Sequence, residues 1–200
     1  MKITPILFSG EMIRALLDGR KTQTRRIVEA KHVPFIENLS SRFFDGEWDN
    51  RPLPYGKAGD LLWARETFYP VYAQDPGYNN GQPIEYDYRA TYKDGDRLGD
   101  YWAKKKWKPA IHMPRRASRL TLELTEIRVE RLQDISEADA LAEGVFATQY
   151  TPTDTAKLAF GALWLRINGP DSVAQNPWVW VLSFKVHKMN VDQYLNMAAA

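Results

Sequence analysis

The chain has 200 residues, a formal net charge of +2, 44% hydrophobic and 26% charged residues, and no cysteine. That balance belongs to a folded globular chain long enough for one domain with a real core. It excludes disulfides, thiolate zinc sites and a cysteine nucleophile together. His32, His112 and His187 lie far apart with no metal-ligand spacing, so neither a metal nor another cofactor is expected. No run approaches the roughly 20 apolar residues of a membrane span, and "MKITPILFSG" is too short for a secretory core. The expectation is a cytoplasmic protein with no membrane partner. The mild positive charge permits an anionic partner without demanding one.

In chain order, "ITPILF" (3–8) reads as a first strand, with Pro5 marking a strand start or edge. Met12, Ile13, Leu16 and Leu17 recur at helical spacing, and Gly19 falls where a C′ glycine stops a helix. "GRKTQTRR" (19–26) then connects that helix to a strand at about 22–27. Residues 28–56 are irregular. A buried strand is expected from Leu61 to about Phe68. Residues 70–117 read as an insertion, mostly loop with one strand near "IEYDYRATY", because they hold too few aliphatics for a core of their own.

From Arg119 to Arg131 the pattern alternates, but its phase slips at Thr125–Glu126: Leu120, Leu122 and Leu124 are followed by Ile127 and Val129 on the other parity. That predicts a bulge or sharp bend. "SEADALAEG" predicts a short helix with Ser136 as N-cap and Gly144 as C′. A second helix ends at Asn168-Gly169-Pro170, and "PWVWVLSFKV" predicts a dense apolar strand that closes the sheet. The order suits one mixed α+β domain on a small curved sheet or barrel. It does not suit a Rossmann sheet, since no glycine-rich phosphate loop follows the first strand.

The "GRKTQTRR" cluster carries two readings. One is a solvated basic edge beside a helix C-terminus. The other is chemical: a lysine crowded by guanidinium groups is pushed toward its neutral form. A neutral lysine beside a threonine hydroxyl is a base beside a nucleophile, the pairing that acyl transfer or amide hydrolysis uses. In the strand, Thr22, Thr24 and Arg26 share one face, and Lys21 reaches toward it from the turn. As a turn residue, Lys21 is expected to carry little packing. Arg26 suits a phosphate or a carbonyl oxygen. A candidate acid is Glu143, in the last turn of the short helix, where the helix dipole opposes an anion by roughly 0.3–1 kcal/mol.

Two further segments are candidates. "WARE" puts Arg65 and Glu66 at a strand end, as an ion pair lining a pocket or as a structural pair. "YWAKKKWKPAIHMPRRASR" interleaves Trp102 and Trp107 with Lys104, Lys105, Lys106, Lys108, Arg115 and Arg116. That is either a basic groove with stacking aromatics for single-stranded nucleic acid or a solvated loop.

"LLDGRKTQTRR" resembles the G-x-K-x-x-[acidic or Thr]-x-R signature of ASCH domains, relatives of the PUA-like RNA-binding barrels, at Gly19, Lys21, Thr24 and Arg26. With "GRKT" ahead of Thr24 it is similar to the small bacterial ASCH amidohydrolases that deacetylate N4-acetylcytidine. "GDLLWARETF", "RLTLELTEIRVERLQDIS" and "NPWVWVLSFK" resemble ASCH-like proteins of phages and prophages. The resemblance covers about residues 3–27, 57–68, 118–145 and 177–187. It implies a single ASCH-like domain over 1–200: a small PUA-like β-barrel with flanking helices and insertions at about 28–56 and 70–117. It also implies a Lys21/Thr24/Glu143 site for an N4-acylated cytidine or related modified nucleoside; Arg26, and Arg65 and Glu66 from "WARE", are the expected substrate contacts. The alternative is a non-catalytic or ribonuclease-type RNA-binding module. The chain is about twice the length of the small amidohydrolases.

Overall fold

The structure, a computed structural model, describes residues 1–36, 47–48, 51–75, 77–92, 106–146 and 155–199. Strand β1 (Ile3–Leu7) leads into helix α1 (Gly10–Leu17), whose Ile13, Ala15 and Leu16 are buried. The helix ends where Gly19 turns left-handed, at φ +75°, and the amides of Gly19 and Arg20 return to the carbonyls of Leu16 and Ala15. A glycine accepts that φ without a Cβ clash. The chain then enters β2 (Gln23–Ile27).

The segment expected to be irregular holds a short α2 (Val33–Ile36) and a two-stranded pair, β3 (Glu47–Trp48) with β4 (Arg51–Pro52). The strand expected at 61–68 is two strands, β5 (Leu61–Arg65) and β6 (Phe68–Val71), the latter paired with β7 (Glu85–Tyr88). Then follow β8 (Thr121–Arg131), α3 (Glu137–Ala142), α4 (Ala156–Asn168), β9 (Trp178–His187) and α5 (Val191–Ala198). The architecture is mixed α+β, with a five-stranded sheet ordered β1-β5-β8-β9-β2.

Two details refine the sequence expectation. Strand β9, expected to close the sheet, lies between β8 and β2. Its unbroken buried run Val179–Leu182 explains this, since a strand covered on both faces needs no polar alternation. Strand β8 is continuous, yet its burial changes parity across Thr125–Glu126, from Leu122 and Leu124 to Ile127 and Val129.

The chain divides into two compact units: 1–4, 15–62 and 122–186, and 5–14, 63–121 and 187–200. The first contains β2, α3, α4 and most of β8 and β9, with Leu62, Leu122, Val179 and Val181 in its core. The second contains the β6–β7 pair, packed on Phe68, Met113 and Ala117 with Tyr86 and Tyr88. Aromatic area replaces the aliphatics whose scarcity had suggested loop, each ring burying roughly 150–250 Å². Among the described residues no helix is long and apolar enough to cross a membrane.

Candidate functional site

The first unit brings the two ends of the candidate site together. Helix α3 is N-capped by Ser136, whose hydroxyl accepts from the Asp139 amide, and C-capped by Glu143. There Gly144 takes φ +86°; a Cβ on it would lie 2.8 Å from Ala15 Cβ and 3.0 Å from Lys21 Cβ. The missing side chain is what lets the turn close on Lys21. Lys21 forms an isolated antiparallel bridge with Glu143, and the Thr22 amide donates to the Ala142 carbonyl at 2.8 Å.

Lys21 is therefore not a solvated turn residue: it is 0% exposed, and Glu143 is 3% exposed. Its Nζ donates to Glu143 Oε2 at 2.5 Å and to the Glu143 carbonyl at 3.0 Å. Burial lowers the Lys21 pKa from its ordinary 10.5, an effect that the attraction and hydrogen bond of Glu143 oppose and the Arg26 and Arg25 charges reinforce. The expectation that Lys21 carries little packing fails, because α3, about 120 residues further on, covers it.

Thr24 is fully buried on β2, opposite Leu182 of β9. Its Oγ1 accepts from Arg26 at 3.0 Å, as alternation along a strand allows for residues two apart. Thr22, expected on the same face, is exposed. Arg26 is half-buried and also donates to the Arg25 carbonyl at 2.9 Å. Burial lowers its pKa, against the pull of Tyr55 and Glu143.

Sequence reasoning missed Arg25. It is 3% exposed and donates to Glu143 Oε1 at 3.1 Å, to Gln23 Oε1 at 2.8 Å, and to Glu130 Oε1 at 2.9 and 2.6 Å. Arg128 completes the network, 3.4 Å from Glu130 Oε2 and 3.0 Å from Asp139 Oδ2. Burial alone would raise the Asp139 carboxyl, but hydrogen bonds from Gln23 and Ser136 and the Arg128 and Arg25 charges hold it down. A signal was present: Lys21, Gln23 and Arg25 share one parity, opposite that of Thr24 and Arg26.

The remaining candidates belong to the second unit. Arg65 and Glu66 bond to different partners. Arg65 donates to the carbonyls of Met113 and Ile111. Glu66, 2% exposed, takes two bonds from Arg119, at 2.8 and 2.9 Å, and its carboxyl is raised by burial against that arginine. Arg119 also lies 4.0 Å from the centre of the Tyr88 ring, whose phenol burial pushes up to about 12.

Of the basic segment, Lys104, Lys105 and Trp102 lie outside the described residues. Arg115 pairs with Asp192, and Arg116 donates to the Tyr86 hydroxyl and to Gln82. Lys106 and Lys108 are exposed. Lys108 bridges Phe68 on β6, and the Trp107 ring packs with Tyr69 and Tyr92.

A separate groove of about 240 Å³ in the first unit is lined by Leu132, Ile135, Phe160, Gly161 and Val173, with Gln133 and Lys157 as polar members. None of Lys21, Thr24 and Glu143 lines it. Among the described residues no group of three or more His, Cys, Asp or Glu side chains is placed to hold a metal ion. Comparison with models of protein families, with curated proteins and with solved structures gave no match.

Proposed function

We propose that the chain is an ASCH-type amidohydrolase acting on an N4-acylated cytidine or related modified nucleoside, its five-stranded sheet being the PUA-like barrel of that family. The observation that carries the reading is the sealed Lys21–Glu143 pair, 2.5 Å apart, on the strand connection that leads to Thr24. An amine out of water is favoured in its neutral, basic form.

In the proposed reaction a local opening first brings the Thr24 hydroxyl, whose parity on β2 is opposite to that of Lys21, to Lys21 Nζ; the neutral amine then takes its proton as Oγ1 bonds to the acyl carbon. Arg26, 3.0 Å from the attacking hydroxyl, turns to the acyl carbonyl oxygen and stabilises the negative charge that develops there. The carbon–N4 bond breaks, and the proton passes from Lys21 through Glu143 to the leaving amine. Water then attacks the acyl-threonine ester and gives its proton to Lys21. The carboxylic acid departs and the Thr24 hydroxyl is restored.

Since Lys21 and Thr24 are both sealed from solvent, turnover requires a local opening. Their complete burial supports a second reading, in which the network is an internal ionic brace without chemistry. The discriminating experiment incubates the purified chain with a panel of N4-acylated cytidines, and with single-stranded RNA in parallel. The hydrolase reading expects cytidine and carboxylic acid in equal amounts, Thr24→Ser keeping more activity than Thr24→Ala. Cleavage of RNA alone, or no product, removes it.

A further inference from the structure

Arg25 has no part in the steps above, yet it is bonded on every side. Its NH1 donates to Glu143 Oε1 at 3.1 Å, while Lys21 holds Oε2 at 2.5 Å. Its Nε and NH2 both reach Glu130 Oε1, NH2 lies 3.6 Å from Asp139 Oδ2, and the Phe160 ring centre is 5.6 Å from the guanidinium carbon. We propose that Arg25 is a positioning residue for the hydrolytic site, committing one oxygen of Glu143 to itself so that the other faces Lys21. The inference rests on reading Lys21, Thr24 and Glu143 as that site.

A carboxylate with one anchored oxygen cannot exchange its two oxygens by rotation. The proton shared with Lys21 then always meets the same atom, along the same line. An arginine suits the task because its planar fork serves two carboxylates at once and it does not lose its proton. Lysine is a point charge without that fork. Glu130 offsets the arginine's charge and is itself tied to Arg128, so the guanidinium is fixed from the β8 side. Gln23, on the same face of β2, accepts from NH1 and fixes it from the strand side. The charged groups around the pair are Arg25 and Arg26 from β2, Glu130 and Arg128 from β8, and Asp139 from α3. Of these, Arg26 and Arg25 both act to lower Lys21.

The test compares wild type, Arg25→Gln and Arg25→Lys on N4-acetylcytidine across pH. It also follows Lys21 by carbon NMR in protein carrying 13C-labelled lysine. Loss of Arg25 in the glutamine variant is expected to lower kcat by on the order of tenfold or more with KM little changed. The rise of rate with pH, and the Lys21 titration, should both move to higher pH because a neighbouring cation is gone. Arg25→Lys restores the charge but not the fork, so its pH profile should return toward wild type while kcat stays low. An Arg25→Gln enzyme with wild-type kcat and an unmoved Lys21 titration overturns the proposal. Should Arg25→Gln fail to fold, Arg25→Lys decides, and wild-type kcat there overturns it. If the wild type hydrolyses nothing, the hydrolase reading fails on that result. The NMR titration then judges Arg25 alone, and an unmoved Lys21 contradicts the proposal.

Discussion

A lysine with no solvent exposure is tolerated only if its charge is matched or absent, and Lys21 has Glu143 for that purpose. Breaking such a buried pair from one side costs about 3–5 kcal/mol, because the survivor keeps a buried charge. Glu143 retains Arg25 when Lys21 is replaced, so Lys21→Met should fall at the low end of that range and Glu143→Leu higher. The double replacement Lys21→Met with Glu143→Leu should be more stable than the sum of the singles implies, read as a coupling energy in urea unfolding. Activity should not return with it. The pH dependence has a definite sign. With the folded pKa of Lys21 below its ordinary 10.5, the unfolded chain binds the extra proton between those two values, and stability rises with pH there. Lys21→Met should remove that part of the slope when unfolding is measured across the alkaline range.

At the level of elements, two glycines make opposite predictions. Gly144→Ala puts a Cβ in the left-handed region and 2.8 Å from Ala15 Cβ, so it should destabilise by about 1–3 kcal/mol and loosen the Lys21 bridge. Gly161→Ala, inside α4 with nothing within 4 Å of the added Cβ, should stabilise by roughly 0.5–1 kcal/mol. Thermal unfolding of the two variants checks both. The stops of α1 at Gly19 and α3 at Gly144 were legible because caps are local chemistry. So was the parity slip in β8. Burial of Lys21 was not, since the helix end covering it is distant in the chain. Arg25 and Glu130 were missed for a related reason: a charged residue in an alternating strand reads as outward-facing until a partner from another strand is known. The interior place of β9 was hinted at by Val179–Leu182 but needed the sheet order to be read.

For the whole molecule, the sequence expectation of a loop-like insertion at 70–117 overlooked aromatic packing. Phe68, Met113 and the β6–β7 tyrosines form a small core in the second unit, and Phe68→Ala should lower stability by about 3–5 kcal/mol in urea unfolding. Among the described basic residues of that region, Arg115 pairs with Asp192 and Arg116 bonds to Tyr86 and Gln82, while the Lys21 network of the first unit joins Lys21, Arg25, Glu130 and Glu143. Its claim to be a hydrolytic site is tested most directly by kcat/KM of Lys21→Met against wild type on N4-acetylcytidine, with folding of the variant verified by circular dichroism. The account predicts release of cytidine by the wild type and its loss in a folded Lys21→Met protein. Turnover by that variant at the wild-type rate would contradict it.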